Sequence, residues 1–169
     1  MIKTKRIYLR RFTIDEADLL FQLDGDADVM KYITLGVPRT MDELIEKSMP
    51  RILKSYQDKS DFGIFAAYLI NSEKYIGWFQ FEKDKEFEDS IEIGWRLKKQ
   101  YWGNGYATEV AIVLCELGIK MGKTIVARAM IENLASIRVM EKAGLKFEKK
   151  FWYPHSSSPD VLYKRSLIT

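Results

Sequence analysis

The chain has 169 residues, 47% of them hydrophobic, which suits a single domain spanning 1–169 that buries about two thirds of its unfolded surface. Lys and Arg number 27 against 24 Asp and Glu, a net charge of +3; direct nucleic-acid binding is not expected from so small an excess, whereas a phosphate-rich cofactor is compatible with it. The single cysteine, Cys115, excludes an internal disulfide and a multi-cysteine metal site. The lack of a signal-peptide pattern after Met1 and of any apolar run of about 18 residues predicts a cytoplasmic protein that does not cross a membrane.

Ile7 and Leu9 alternate with Tyr8 and Arg10 as in a short strand, and Thr13 precedes a first helix over about Ile14 to Leu23, with Glu16 at capping-box spacing. Asp24, Asp26 and Asp28 then fall at alternate positions. A calcium loop fails here, because Val29 stands where glycine is needed and Leu35 where a bidentate glutamate is needed. Caps on a short second helix account for these acids, which are also candidates to attract a cationic amine. After the loop LGVPR, Thr40 opens a helical stretch that Pro50 is expected to kink or split. FGIFAAYLI, YIGWFQFE and SIEIGWRL read as an antiparallel meander over residues 62 to 97. A long core helix follows with Ala107, Val110, Ala111, Leu114, Leu117 and Met121 at helical spacing and a polar stripe at Glu109, Glu116, Lys120 and Lys123. Cys115 belongs to this apolar surround and reads as an inert core thiol. TIVARAMI is a strand, Asn133 caps a short helix ending at Gly144, and KFEKKFWY and DVLYKRSLI are strands joined by the loop PHSSSP.

The join between the third meander strand and the long helix, Gln100-Tyr-Trp-Gly103-Asn-Gly105-Tyr-Ala, is an anion-binding candidate, since a glycine turn at a helix start can aim several N–H groups at one ligand. A dinucleotide fingerprint lacks its third glycine at Thr108 and its later acid between Thr124 and Arg128, and no Gly-Lys-Ser/Thr of a Walker loop is present. The segment resembles the acetyl-CoA pyrophosphate loop of the GNAT superfamily of N-acetyltransferases: Gln or Arg, any two, Gly, any one, Gly or Ala. NLASIRVMEKAGLKF resembles the family's later Asn-x-x-Ser helix, and TKRIYLRRFTIDEADLLFQLDGDADVMKYI resembles the opening of the ribosomal-protein N-terminal acetyltransferase-like subgroup.

The resemblance implies an α/β (α+β) fold with a mixed, mainly antiparallel central sheet of about seven strands, flanked by helices and splayed after the fourth strand. It implies acetyl-CoA as cosubstrate and no metal. Trp95, Arg96 and Leu97 would give main-chain bonds to the pantetheine arm, Gln100, Gly103, Asn104, Gly105, Tyr106 and Ala107 would hold the pyrophosphate, Asn133 would contact the arm, and Lys98, Lys99 or Arg138 would meet the 3′-phosphate. The reaction expected is direct acetyl transfer to a primary amine in a ternary complex, with a protein N-terminus as first choice of acceptor. Polyamines, amino acids or antibiotics are alternative acceptors, and a non-catalytic acyl-CoA sensor is the alternative class. Glu92, opposite in facing to Ile91 and Ile93, and His155, the only histidine, are rival general bases. Many family members have a tyrosine acid where this chain has Met140; Ser136 resembles its replacement in the subgroup, with Tyr106 and Tyr153 as weaker substitutes. Loops 33–38 and 151–159 are expected to wall the acceptor site, with Trp78, Trp95, Trp152 and Tyr153 as lining. A homodimer is left open.

Overall fold

The computed structural model describes residues 2–56, 61–154 and 158–166. In chain order the elements are β1 (Ile2–Lys3), β2 (Ile7–Arg11), α1 (Ala17–Asp24), α2 (Ala27–Met30), α3 (Met41–Glu43), a π-helical turn (Leu44–Ser48), α4 (Met49–Lys54), β3 (Gly63–Leu69), β4 (Tyr75–Lys83), β5 (Ser90–Leu97), a 3₁₀ turn (Lys99–Tyr101), α5 (Tyr106–Lys120), β6 (Thr124–Met130), α6 (Leu134–Lys142), β7 (Lys146–Phe151) and β8 (Asp160–Arg165). The strands hydrogen-bond in the order β1-β2-β3-β4-β5-β6-β8-β7. Pairing is antiparallel for β1–β2, β2–β3, β3–β4, β6–β8 and β7–β8, and parallel for β5–β6. The expected mixed, mainly antiparallel sheet is present, with eight strands rather than about seven. The addition is β1, whose two residues pair with Leu9 and Tyr8 and are too few to show an alternation.

The chain packs as two compact units, one made of Met1–Glu82 and Trp95–Tyr106, the other of Lys83–Gly94 and Ala107–Thr169. In the first, Phe12, Leu20, Leu23, Leu44, Met49 and Ile52 pack with Ile64, Ala66, Tyr68 and Tyr75. Each large apolar side chain buried this way contributes roughly 1.5–3 kcal/mol. The first helix starts at Ala17 rather than Ile14, which is exposed. Arg10 takes both oxygens of Glu16 at 2.9 and 2.6 Å. Only the Thr13 N–H to Glu16 half of a capping box survives. Asp26 caps α2 by accepting from the Asp28 N–H, and Thr40 with Glu43 forms a complete capping box on α3. Pro50 has no N–H, and its ring would crowd the carbonyl four residues back; the helix meets this with the π turn Leu44–Ser48 just before α4.

In the second unit, α5 buries Val110, Ala111, Leu114, Cys115 and Gly118. Gly118 permits close packing on the strands, for a Cβ there would lie 2.1 Å from Ile125 Cδ1. Met121, expected on the apolar stripe, is exposed because α5 ends at Lys120. The parallel β5–β6 ladder registers Ser90 with Thr124, Ile91 with Ile125 and Glu92 with Val126, all at the start of both strands. Further along, β6 continues its ladder with β8.

Candidate active site

In the first unit, β5 ends at Trp95–Leu97 and runs through the 3₁₀ turn into Gly103–Gly105 and the start of α5. Gly103 and Gly105 have φ of 75° and 76°, a left-handed conformation that only glycine adopts at little cost. A Cβ on Gly103 would meet nothing within 4 Å, so glycine is required there by the backbone, and the turn is open to an approaching group. The leading N–H groups of a helix have no intrahelical acceptor. Those of the 15-residue α5 add to the turn's amides at the positive end of the helix dipole, about half an elementary charge. These features fit a pyrophosphate.

The strand before the turn has a second binding feature. The Lys98 N–H donates to the Ile76 carbonyl at 2.9 Å, so alternation points the main-chain groups of Arg96 and Lys98 at β4 and those of Trp95 and Leu97 away from it. The Leu97 carbonyl on that outward edge accepts from Trp102 Nε1 at 2.8 Å, and Asn104 Nδ2 donates to the Trp102 carbonyl at 3.0 Å. Trp102, to which the sequence assigns no role, therefore braces the strand end against the glycine turn. Gln100 is exposed within the 3₁₀ turn.

Arg96, expected only for its main chain, sends its side chain to the buried Asp24 and over the Trp78 ring at 4.9 Å. Arg39 reaches the same carboxylate at 3.4 Å. Asp24 is 3% exposed, so the expectation that it attracts an amine is overturned: its charge is spent on two guanidinium groups. Asp28 is likewise paired, with Lys99, whose hydrogen bond and charge draw its carboxyl below the usual range. Lys98 stands 5.1 Å from the Tyr75 ring, and burial lowers its pKa. Arg6 Cζ lies 4.5 Å from the centroid of the ring of Tyr106, the first residue of α5.

In the second unit, Asn133 Oδ1 caps α6 by accepting from the Ser136 N–H at 3.2 Å. The cap is thus made by Asn133 rather than by the hydroxyl of Ser136, which is half-buried one turn into the helix. Ala107 lies in the first turn of α5, Arg138 is exposed on α6, and Met140 is buried. Glu92 Oε1 accepts from Arg128 at 3.0 Å. The same guanidinium holds Asp84 at 2.5 Å and Glu86 at 3.3 Å. Burial alone would raise the Asp84 carboxyl, but hydrogen bonds from Arg128 and from the Phe87 and Glu86 N–H groups outweigh it and hold the carboxyl low. Asp160, another group the sequence reading missed, has its pKa raised by burial and then by Glu132. Trp152 and Tyr153 are exposed overall, while partial desolvation of the Tyr153 hydroxyl raises its pKa. His155 lies outside the described residues. Cys115 is fully buried, and that burial pushes its thiol up to about 11. Among the described residues no group of three or more His, Cys, Asp and Glu could hold a metal, and no helix is long and apolar enough to cross a membrane.

A glycine turn at a helix start beside an outward-facing strand edge is compatible with a ligand that carries a pyrophosphate and an extended arm. Residues 6–146 match the Acetyltransferase (GNAT) domain, and the chain belongs to that family. The chain is similar to the uncharacterised N-acetyltransferase YnaD of Bacillus subtilis, 32% identical over 152 residues, 89% of this chain and 85% of the relative. It is also similar to the FsC-acetyl coenzyme A-N(2)-transacetylase of Aspergillus fumigatus, 27% identical over 94% of this chain and 70% of the relative. The crystal structure of a GNAT-family acetyltransferase from Bacillus anthracis superposes with a TM-score of 0.79 at 30% identity, covering 98% of this chain and 97% of that one. RimL, a ribosomal L7/L12 alpha-N-protein acetyltransferase in complex with coenzyme A, shares the fold at a TM-score of 0.79 and 16% identity, over 97% and 96% of the two chains. The chain is an acetyl-CoA-dependent acetyltransferase.

Proposed function

We propose that this enzyme acetylates a primary amine by direct attack in a ternary complex, with a protein N-terminal amine as acceptor. Acetyl-CoA supplies the acetyl group as an activated thioester. The observation that carries the donor half is the pair of left-handed glycines at the start of α5. On this reading the main-chain N–H groups of Gly103, Asn104, Gly105, Tyr106 and Ala107 bind the pyrophosphate, and Gln100 flanks them. Trp95 and Leu97 bind the pantetheine arm as a strand edge binds an added strand. Arg96 keeps that strand in place through Asp24, and the Leu97 N–H polarises the thioester carbonyl. Asn133, whose Oδ1 is engaged in the cap, offers Nδ2 to the arm, and Arg138 meets the 3′-phosphate.

Glu92 or His155 accepts the amine proton, directly or through water. Arg128 orients Glu92 by holding one of its oxygens. Ser136 donates to the leaving thiolate. The buried Cys115, with its raised pKa, is unsuited to a covalent intermediate. The resemblance of the opening segment to the ribosomal-protein N-terminal subgroup supports a protein N-terminus as acceptor. A second reading, a small-molecule amine, is favoured by the similarity to the FsC transacetylase across nearly the whole chain.

Thiol release from acetyl-CoA, measured across N-terminal peptides, polyamines, amino acids and aminoglycosides, separates the two. Peptide rates at least tenfold above those of every small amine support the first; the reverse order establishes the second. Silence with all amines alongside tight acetyl-CoA binding would instead identify a sensor, consistent with Met140 in the tyrosine position. Glu92→Gln, His155→Ala and Ser136→Ala then assign the base and acid, and a change below about twofold removes a residue from the mechanism.

A further inference from the structure

We infer that Trp102 is a positioning residue for acetyl transfer: its indole N–H engages the Leu97 carbonyl and so fixes the last outward-facing N–H of β5, the one that polarises the thioester. This rests on the reading of Trp95 and Leu97 as the edge that takes the pantetheine arm. The peptide joining Leu97 to Lys98 is held from both sides. Its N–H, that of Lys98, donates to the Ile76 carbonyl on β4 at 2.9 Å, and its carbonyl oxygen, that of Leu97, accepts from Trp102 Nε1 at 2.8 Å. On the β4 side the strands lie close because Gly77 has no Cβ; one there would run into the Arg96 carbonyl. On the far side the indole hangs from the 3₁₀ turn after β5. That turn is closed by the Tyr101 N–H on the Lys98 carbonyl at 2.9 Å and the Trp102 N–H on the Lys99 carbonyl at 3.1 Å. Asn104 Nδ2 donates to the Trp102 carbonyl at 3.0 Å and ties the same residue to the glycine turn.

A strand edge offers an arriving chain both N–H and C=O groups at each outward-facing residue. At Leu97 that offer is altered, since the carbonyl already has a donor. An amide N–H of the arm placed there would share the oxygen with the indole, whereas a group that only accepts meets no competitor. The thioester is such a group, having a carbonyl and no N–H, unlike the amides of the arm. The engaged carbonyl therefore sets the register of the arm, with the thioester against the Leu97 N–H and an amide further back along the edge. Oxyanion donors act by being in place before charge develops. The peptide that carries the Leu97 N–H has its own carbonyl packed against Gly77, and the next peptide is bonded at both ends, so the donor is aimed in advance. Trp102 is 47% exposed, and it is the indole N–H rather than deep burial that joins it to the strand.

The test compares the full chain with its Trp102→Phe variant, which keeps an aromatic ring and loses the donor. Two quantities are read: the single-turnover rate at saturating acetyl-CoA with the best amine, divided by the fraction of sites that bind coenzyme A, and the infrared carbonyl stretch of bound, carbonyl-labelled acetyl-CoA. The rate is expected to fall about tenfold, short of the roughly 10²- to 10³-fold for outright loss of an oxyanion donor. Affinities for acetyl-CoA and coenzyme A should stay within about twofold of wild type, as for an interaction that matters in the transition state. The stretch, displaced to lower frequency in wild type, should return towards its value in free acetyl-CoA. A rate within about twofold of wild type overturns the inference. So does an unchanged stretch, or a rate loss matched by an equal loss of coenzyme A affinity, which identifies a structural brace. Both readings come from liganded molecules alone and the infrared one needs no amine, so a variant that folds poorly still decides the matter. The parent reading fails separately: wild type would then bind acetyl-CoA no more tightly than 3′-phosphoadenosine 5′-diphosphate, which lacks the arm.

Discussion

Replacing Asp24 by alanine tests whether the end of β5 is held by a buried ion pair. The carboxylate side chain is 4% exposed and that of its partner Arg96 11%, and Arg96 Nε already has no hydrogen-bond partner among the described residues. Burial pulls the Arg96 pKa down and Asp24 counteracts it. Removing the acid leaves a guanidinium charge in the interior, a loss of about 3–5 kcal/mol. Asp24 is the last residue of α1, where a negative charge opposes the helix dipole, so its removal returns a few tenths of a kcal/mol. The net expectation is about 3 kcal/mol, or a Tm lower by roughly 6–12 °C for a chain of this size. Arg96→Met is expected to cost less, because Arg39 still reaches Asp24 at 3.4 Å. The double variant Asp24→Ala, Arg96→Met should recover part of the loss, since the Arg96 charge no longer lies unpaired in the interior. Urea unfolding of the four proteins, with unchanged m-values, gives the coupling. Asp24→Ala within 0.5 kcal/mol of wild type, or a double variant whose losses simply add, would refute the reasoning.

Gly103→Ala places its Cβ in open space but keeps a φ of 75°, so it should cost only about 1–2 kcal/mol of stability while lowering acetyl-CoA affinity at least tenfold, read as a smaller ligand-induced rise in Tm. Iodoacetamide at pH 8 should leave native Cys115 unlabelled and activity intact, because the thiol titrates near 11 and is buried; mass spectrometry should find the label only after unfolding. The Tyr56 hydroxyl accepts from the Phe12 N–H at 3.1 Å and donates to the Ile64 carbonyl, and burial raises its pKa to about 12. Because the folded value lies above the unfolded one, this contribution is complete below pH 10 and is lost as pH rises from there to about 12. Urea midpoints across that range should fall for wild type and fall less for Tyr56→Phe.

Local demands were legible and distant partnerships were not. The glycine turn could be read because two left-handed residues at a helix start leave a local mark, and the resemblance then named its ligand. The Thr40–Glu43 box, the Asp26 cap and the disturbance at Pro50 are also local. Asp24 misled for the opposite reason: its partner Arg96 is 72 positions away, and an acid among loop acids carries no sign of burial. Arg128 and Asp84 are separated by 44 positions, so the clamp on Glu92 had no sequence signal either. Trp102 and Arg6 were passed over because an exposed tryptophan and a basic opening segment are ordinary, and only the fold sets them beside Leu97 and Tyr106.

The central claim is that this enzyme moves an acetyl group from acetyl-CoA straight to an amine. Its most direct measurement pairs thiol release with mass spectrometry of the acceptor, for the best amine of the panel, while both substrates are varied. The account predicts one acetyl group on the amine for each thiol released, with intersecting double-reciprocal lines. Thiol release without an acetylated amine, or parallel lines with acetyl retained on the protein, would contradict it.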